Sequence, residues 1–397
     1  GGGGAKPRKA GSDAGSRDDV SDPWGGKRRE DLSRLGLGGR MSNGKRWDYT
    51  TKLSRRGKGD PAPALECAEP GDINLVYASD ETEWEPVLVS AHSALHNAED
   101  PSRVFVHVLV PAHSSAARLC RAIGAYAAAF PESVCPPDPG FTWTPQDWVV
   151  HPCSADADEE GLPSCVCGPH FHLVRFDDQE EEHAKSLDLV RSNQEVDRGE
   201  LVNSMNFARN FADELLLPLG VRKMIYLDAD TIVKGDLVAL FELPLDTLGT
   251  DGGMVLAYPL SCTQENQFWF NFDNRWVKET LKPTDCAMNA GMYVMDLARY
   301  HKLKLRSTIV KMQARHSKLL EEGRKGLWLR GVHQPSFALA LARHSMTVQP
   351  EWQAGQLGYH ADIKAARIAK AQTLHWNGAM KPWLKGGHYQ EEWVGYA

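Results

Sequence analysis

The run Lys223-Met224-Ile225-Tyr226-Leu227-Asp228-Ala229-Asp230 constrains the fold of this chain more than any other stretch. Its unbroken apolar centre reads as a buried strand, and two carboxylates one residue apart close it. Strand alternation turns both acids to the same side. At the carboxyl end of a parallel strand, where open α/β sheets bind ligands, two such oxygens can hold a divalent cation, which in turn serves a phosphate-bearing ligand. The same tripeptide recurs as Asp156-Ala157-Asp158 with no apolar run before it, and that copy reads as a solvated acidic loop.

Around this strand, from residue 72 onward, the chain alternates in the α/β manner. Strands are expected at Ile73 to Ala78, Val104 to Val110, His172 to Phe176, Met254 to Tyr258 and Thr373 to Trp376, with a further apolar run from Gly291 to Leu297. Helices are expected from Pro86 to Asn97, near Ser115 to Phe130, from an N-cap at Ser204 to Leu216, near His301 to Glu322, and around His333 to Arg343. Residues 131–170, rich in Pro, Cys and Asp, interrupt the rhythm and read as an insertion without regular structure. One α/β catalytic-type domain over residues 71–397 accounts for the pattern more simply than two.

The first 70 residues differ in kind. Residues 1–60 hold 15 Lys/Arg against 8 Asp/Glu and 14 of the 35 glycines, with almost no apolar periodicity. Such a stretch buries too little surface to offset the entropy of ordering and reads as a disordered basic stem or tether; a segment lying on an anionic membrane is the other reading. The remainder holds 30 Lys/Arg against 44 Asp/Glu, so its net charge is about −14. That acidity argues against nucleic acid as the partner. No run of 18 apolar residues occurs, so an anchor is expected only if one preceded this chain.

Of the 8 cysteines, Cys153, Cys165 and Cys167 lie with His151, His170 and His172 in a Cys/His-rich stretch. A zinc knot there needs awkward CxC geometry and matches no common finger spacing, so a disulfide or free-thiol loop is the preferred reading.

Neither a P-loop nor a dinucleotide fingerprint occurs, so a diphosphate must be held by other means. Asp228 and Asp230 supply hard oxygens, and His375 on a late strand supplies a third, borderline ligand that suits Mn²⁺ better than Ca²⁺. Gly378 and Lys381 follow closely in HWNGAMKPW, the glycine permitting close backbone approach to an oxyanion and the ammonium adding a point charge. A cation and a lysine on one diphosphate make it a good leaving group, as glycosyl transfer from a nucleotide sugar requires. Singly, each residue has a bland alternative: a strand-end Asp caps helices, and a His beside Trp sits satisfied in cores.

The ordered blocks LVYASD, NFARNFADELL, VRKMIYLDADTIVKGDL, NAGMYVMDL, GQLGYH and LHWNGAMKPW resemble glycosyltransferase family 8, with the greatest likeness to its plant galacturonosyltransferase and galacturonosyltransferase-like branch. The likeness implies a GT-A type nucleotide-sugar-binding fold, a mixed and mostly parallel central sheet flanked by helices. It also implies a Mn²⁺-dependent UDP-sugar donor site, retention of anomeric configuration, and a hexosyltransferase activity on a glycan or a cell wall polysaccharide such as pectin. By position, Asp228, Asp230 and His375 resemble the metal ligands of the DxD motif, and Gly378 and Lys381 the diphosphate contacts. Ala78 and Asp80 fall where the family meets uracil and ribose, and Arg209 and Asn289 where it meets the donor sugar. Asn289 can instead serve the turn before Gly291, and Asp80 can cap a helix. A Golgi-lumenal setting, as a type II membrane protein given an N-terminal anchor, and a complex with a related glycosyltransferase belong to the same expectation; a cytoplasmic location is the alternative.

One departure matters. Where many members carry DQ facing the anomeric carbon, this chain has Gly331-Val332-His333-Gln334-Pro335. Without a dependable carboxylate nucleophile, front-face attack is the favoured route, with Gln334 supporting the developing oxocarbenium ion. Phe268 to Phe272 and Trp276 can stack on an acceptor sugar, although aromatic stripes more often belong to cores. The competing readings are a nucleotidyltransferase, and a non-catalytic UDP-sugar-binding or scaffold homologue.

Overall fold

A computed structural model describes residues 73–80, 83–114, 122–123, 150–152, 164–167, 171–177, 179, 183–184, 203–248 and 253–397. The stem expected over residues 1–70, the acidic look-alike at 156–158 and most of the helix expected near 115–130 lie outside these residues.

Eleven strands occur among the described residues: β1 (Ile73–Ala78), β2 (Val104–Pro111), β3 (Val150–Pro152), β4 (Ser164–Cys167), β5 (Phe171–Phe176), β6 (Lys223–Leu227), β7 (Thr231–Val233), β8 (Leu256–Pro259), β9 (Met292–Asp296), β10 (Ser345–Val348) and β11 (Thr373–His375). Nine form one sheet in the order β10-β8-β9-β6-β1-β2-β5-β4-β3, and β7 and β11 form a separate two-stranded ladder. Only β4 and β9 run against the rest of the large sheet, so it is mixed with a mostly parallel sense, as expected.

The central strands are mostly apolar, with runs such as Leu75-Val76-Tyr77 and Met224-Ile225-Tyr226-Leu227, because both faces are covered. Leu75 and Tyr77 of β1 and Ile225 and Leu227 of β6 pack into one cluster with Val87, Ala91 and Leu95 of helix α1 (Trp84–Asn97). Val76, Met224 and Tyr226 face the opposite way, into a second cluster with Phe211, Ile309 and Phe337. Strand alternation thus divides adjacent residues between two cores. A third cluster of Ile232, Leu357, Leu374, Trp376 and Trp393 seats the β7–β11 ladder.

Four local expectations are corrected. The segment from Ser204 to Leu216 is two short helical turns, α2 (Met205–Ala208) and α3 (Ala212–Leu216), joined by a 3-10 turn. Ser204 is already helical (φ −55°, ψ −34°) and makes no capping bond; Asn203 Oδ1 accepts from Met205 N at 2.9 Å instead. The long charged helix divides into Leu297–Lys302 and Leu305–Glu321, because Lys304 adopts a left-handed φ of 54°. The insertion is not structureless throughout, since β3 and β4 within it extend the sheet edge, β4 antiparallel to β5 and β3 antiparallel to β4. The expected late strand is present as β11 and pairs with β7 outside the large sheet.

A candidate metal and diphosphate site

The chain leaves β6 at Leu227, passes through Asp228-Ala229-Asp230 and enters β7 at once. The short connection is pinned at both ends. Asp228 N donates to Gly291 O at 2.8 Å, and Trp376 N donates to Asp230 O at 2.9 Å. Beneath it, Thr231 Oγ1 donates to Asp228 O at 2.8 Å and lies 2.9 Å from Ser90 Oγ, which is 3.1 Å from Tyr77 Oη. A chain of buried hydroxyls therefore ties the aspartate turn to α1 and β1. No sequence signal marked Ser90 or Tyr77 for this task; Thr231, next to the aspartates, was the one position spacing could have flagged.

His375 reaches the same point across the ladder, where it pairs with Thr231. Its Nε2 lies 3.2 Å from Asp230 Oδ1 and 3.7 Å from Asp228 Oδ2. One ligand atom from each of Asp228, Asp230 and His375 falls within 4.8 Å of the others. Two carboxylate oxygens and an imidazole nitrogen at these separations fit a shared divalent ion of the Mn²⁺ class. Gly291 adjoins the group so closely that a Cβ there would lie 2.1 Å from His375 Cε1 and 2.8 Å from Asp228 Oδ2.

Lys381 completes this side of the site. Its Nζ pairs with Asp230 Oδ2 and donates to Trp376 O at 3.1 Å. Burial works against the charge of Asp230, but Lys381 and His375 outweigh it and hold the carboxyl well below the usual carboxylate range. Gly378 has φ +127°, and a Cβ there would come within 2.5 Å of the Gly358 carbonyl, so the GQLGYH and HWNGAMKPW segments meet backbone to backbone. Glu83, just before α1, also senses the site: burial and then the negative charge of Asp230 push its carboxyl up to about 6.

On the other side, Arg209 is buried at 5% exposure, with Nη2 donating to Asp228 Oδ1 at 2.8 Å and Nη1 to Ala290 O at 3.0 Å. Its guanidinium lies 4.1 Å from the centre of the Tyr226 ring. Burial disfavours its charge, yet Asp228 more than compensates and raises its pKa. Gln334 lies along the same loop, with Oε1 accepting from Ala290 N at 3.1 Å and Nε2 donating to Met288 O at 2.6 Å. Asn289 does perform the turn role, since its Oδ1 accepts from Gly291 N at 2.9 Å. Asp80 does not cap α1: Asn203 Nδ2 donates to its carboxylate, and α1 begins at Trp84 with no side-chain cap. Ala78 ends β1 beside it, with Ser79 N bonded to Leu109 O at 3.0 Å.

The aromatic stripe divides. Phe268 is 50% exposed, Phe270 is buried, and Trp269, Phe272 and Trp276 pack partly against the second core. A disulfide between Cys262 and Cys286 closes the loop that carries the stripe. Of the residues weighed for a zinc knot, His172 is the one whose side chain is described; those of His151, Cys153, Cys165, Cys167 and His170 lie outside the described residues.

The model of the family described as glycosyl transferase family 8 matches residues 74–387. Among curated proteins, a probable galacturonosyltransferase 14 of Arabidopsis thaliana is 30% identical over 207 residues, 49% of this chain and 36% of that protein. Glycosyltransferase 8 domain-containing protein 1 of Bos taurus is 27% identical over 218 residues, 50% of this chain and 56% of that protein. The chain thus matches between about a third and just over half of the length of these relatives. Among solved structures, the apo form of the bifunctional glycosyltransferase WbbM is similar at a TM-score of 0.51 and 15% identity, over 87% of this chain and 55% of that one. An active-site mutant of LgtC is similar at 0.50 and 13% identity, over 81% and 94% of the two chains. At such identities the likeness speaks to the fold.

Proposed function

The chain belongs to glycosyl transferase family 8 and has a GT-A type fold, and from that premise we propose that it moves a sugar from a UDP-sugar to a glycan or polysaccharide acceptor with retention of configuration. The observation that carries the reading is the convergence of Asp228, Asp230, His375 and Lys381 on one point, although Lys381 lies 151 residues from Asp230.

Asp228, Asp230 and His375 would hold Mn²⁺, which supplies Lewis-acid neutralisation of the diphosphate. Lys381 and the backbone at Gly378 bind the same diphosphate, with Ala78 and Asp80 at the uracil and ribose end. The guanidinium of Arg209 and the amide of Asn289 orient the donor sugar. In front-face transfer the acceptor hydroxyl bonds to the anomeric carbon as the bond to the UDP oxygen breaks, and the hydroxyl proton passes to the departing phosphate. Gln334 contributes mainly by fixing the 288–290 loop, and its Oε1 keeps a second lone pair with which to support a developing positive charge. Phe268 offers the acceptor an exposed ring.

Galacturonate is the donor sugar we favour, on the likeness to the plant enzyme named above. A Golgi-lumenal setting and a related glycosyltransferase as partner complete the proposal, and no described helix is long and apolar enough to cross a membrane. The test is a screen of UDP-galacturonate, UDP-galactose, UDP-glucose and UDP-xylose with Mn²⁺. Turnover of at least one donor is expected, with Asp230→Asn reducing it at least a hundredfold in a folded protein. A folded wild type inert toward every donor, or an Asp230→Asn variant with undiminished turnover, would remove the proposal.

A further inference from the structure

At the opposite end of the sheet from the aspartates, where β1, β2, β5 and β6 begin, lies a cavity of about 540 Å³ lined in part by Asn74, Phe105, His107, His172, Lys223 and Phe241. Two of its walls are imidazoles that the proposed reaction does not use. His107 is 2% exposed and His172 5%, and they are register neighbours on β2 and β5. Their ring centres are 5.3 Å apart, with the planes tilted by 55°.

The tautomer of His107 follows from its neighbours. Asn74 Nδ2 donates to Lys223 O at 3.3 Å, which fixes the amide with Oδ1 toward the imidazole. His107 Nε2 lies 3.0 Å from that oxygen, an acceptor, and therefore carries the proton. A lone pair is left on Nδ1, which is buried and has no hydrogen-bond partner. An orphaned buried acceptor is costly, and a ligand there would relieve the cost. Burial, helped by His172, pushes His107 down to about 3, and burial pushes His172 down to about 4, so both rings are neutral near pH 7.

We infer that His107 and His172 form a second metal site, taking a late first-row divalent cation of the Zn²⁺ type through His107 Nδ1 and a nitrogen of His172. An imidazole whose other nitrogen donates to an oxygen is the usual arrangement for a metal ligand, because that bond fixes the tautomer and the ring orientation. Water in the cavity completes the coordination. The nearby ammonium of Lys223 is turned aside, donating to Leu243 O at 2.6 Å and lying 5.4 Å from the Phe241 ring centre. The donor set is nitrogen-based where the Asp228 site is oxygen-rich, so the two ends of the sheet select different ions.

The test uses the full chain in the Asp230→Asn background, which disables the first site, and titrates Zn²⁺ alone by calorimetry, with Co²⁺ absorption as a spectroscopic check. One ion is expected to bind, and adding His107→Gln or His172→Gln is expected to weaken it at least tenfold with the circular dichroism unchanged. Side-chain nitrogen NMR without any substitution at the site keeps the test valid if those variants unfold: the His107 Nδ1 resonance should shift on Zn²⁺ addition. A resonance that does not move, or a folded His107→Gln variant with the same isotherm, overturns the second site.

Discussion

Gly291 shows how little room separates the residues at the site. Any Cβ at this position enters the space of the His375 ring and the Asp228 carboxylate. Gly291→Ala is therefore expected to keep the fold and lower Mn²⁺ affinity at least tenfold, since the imidazole must swing away from its two carboxylate neighbours; calorimetry beside a melting curve separates the two effects. Unchanged affinity would mean that the three side chains do not share an ion. The commitments of Arg209 argue similarly at this scale: two of its donors are spent on Asp228 Oδ1 and Ala290 O, so its reach toward a sugar is set by the strand end and the loop it bridges.

Between elements, the ladder of β7 and β11 is what brings His375 to the aspartates, and Trp393 supports it. That indole is 1% exposed, with ring centres 5.6 Å from Trp376 and 4.9 Å from Trp383. Trp393→Ala should cost about 3–5 kcal/mol in a urea titration and also weaken Mn²⁺ binding, because the cluster it leaves holds β11 in register. A loss of stability without any loss of metal affinity would show that β11 is held by its hydrogen bonds alone. Much of this is legible in the residues: the apolar runs at Ile73 and Met224 read as strands, the latter as a buried one, and Asp228, Asp230 and His375 group by their donor chemistry. What escaped was decided by tertiary contact. Thr231-Ile232-Val233 is too short a run to announce a strand and exists because Thr373-Leu374-His375 pairs with it. The helix break at Lys304 escaped too, since a single left-handed lysine leaves the charged periodicity of the segment intact. The tasks of Tyr77 and Ser90 beneath the aspartate turn have no signature in sequence, because they arise only where β1, α1 and β7 meet.

Taken as a whole, the molecule buries neutral imidazoles in separate places: burial pushes His92, His172 and His316 down to about 4, and His107 to about 3. Each is depressed in the folded state, so the unfolded chain takes up protons first as pH falls. Stability is fully present above the ordinary histidine range near 6.5 and is lost as pH drops toward 4. Urea midpoints should accordingly decline between pH 7.5 and 5.0, a window in which most carboxylates remain ionised. A flat profile across it would mean that these rings are protonated in the native protein without penalty.

The β7–β11 ladder also sets an order of events during synthesis. Both aspartates leave the ribosome when only β1 of the two neighbours of β6 has been made, and they gain their imidazole and their lysine only after residues 373–381 have emerged and folded back. A chain interrupted between residues 230 and 375 carries the acidic pair with Arg209 but without the imidazole and the lysine. The proposed chemistry is thereby coupled to completion of this segment, and a cation held by all three side chains would report that residues 373–381 have been made and folded back.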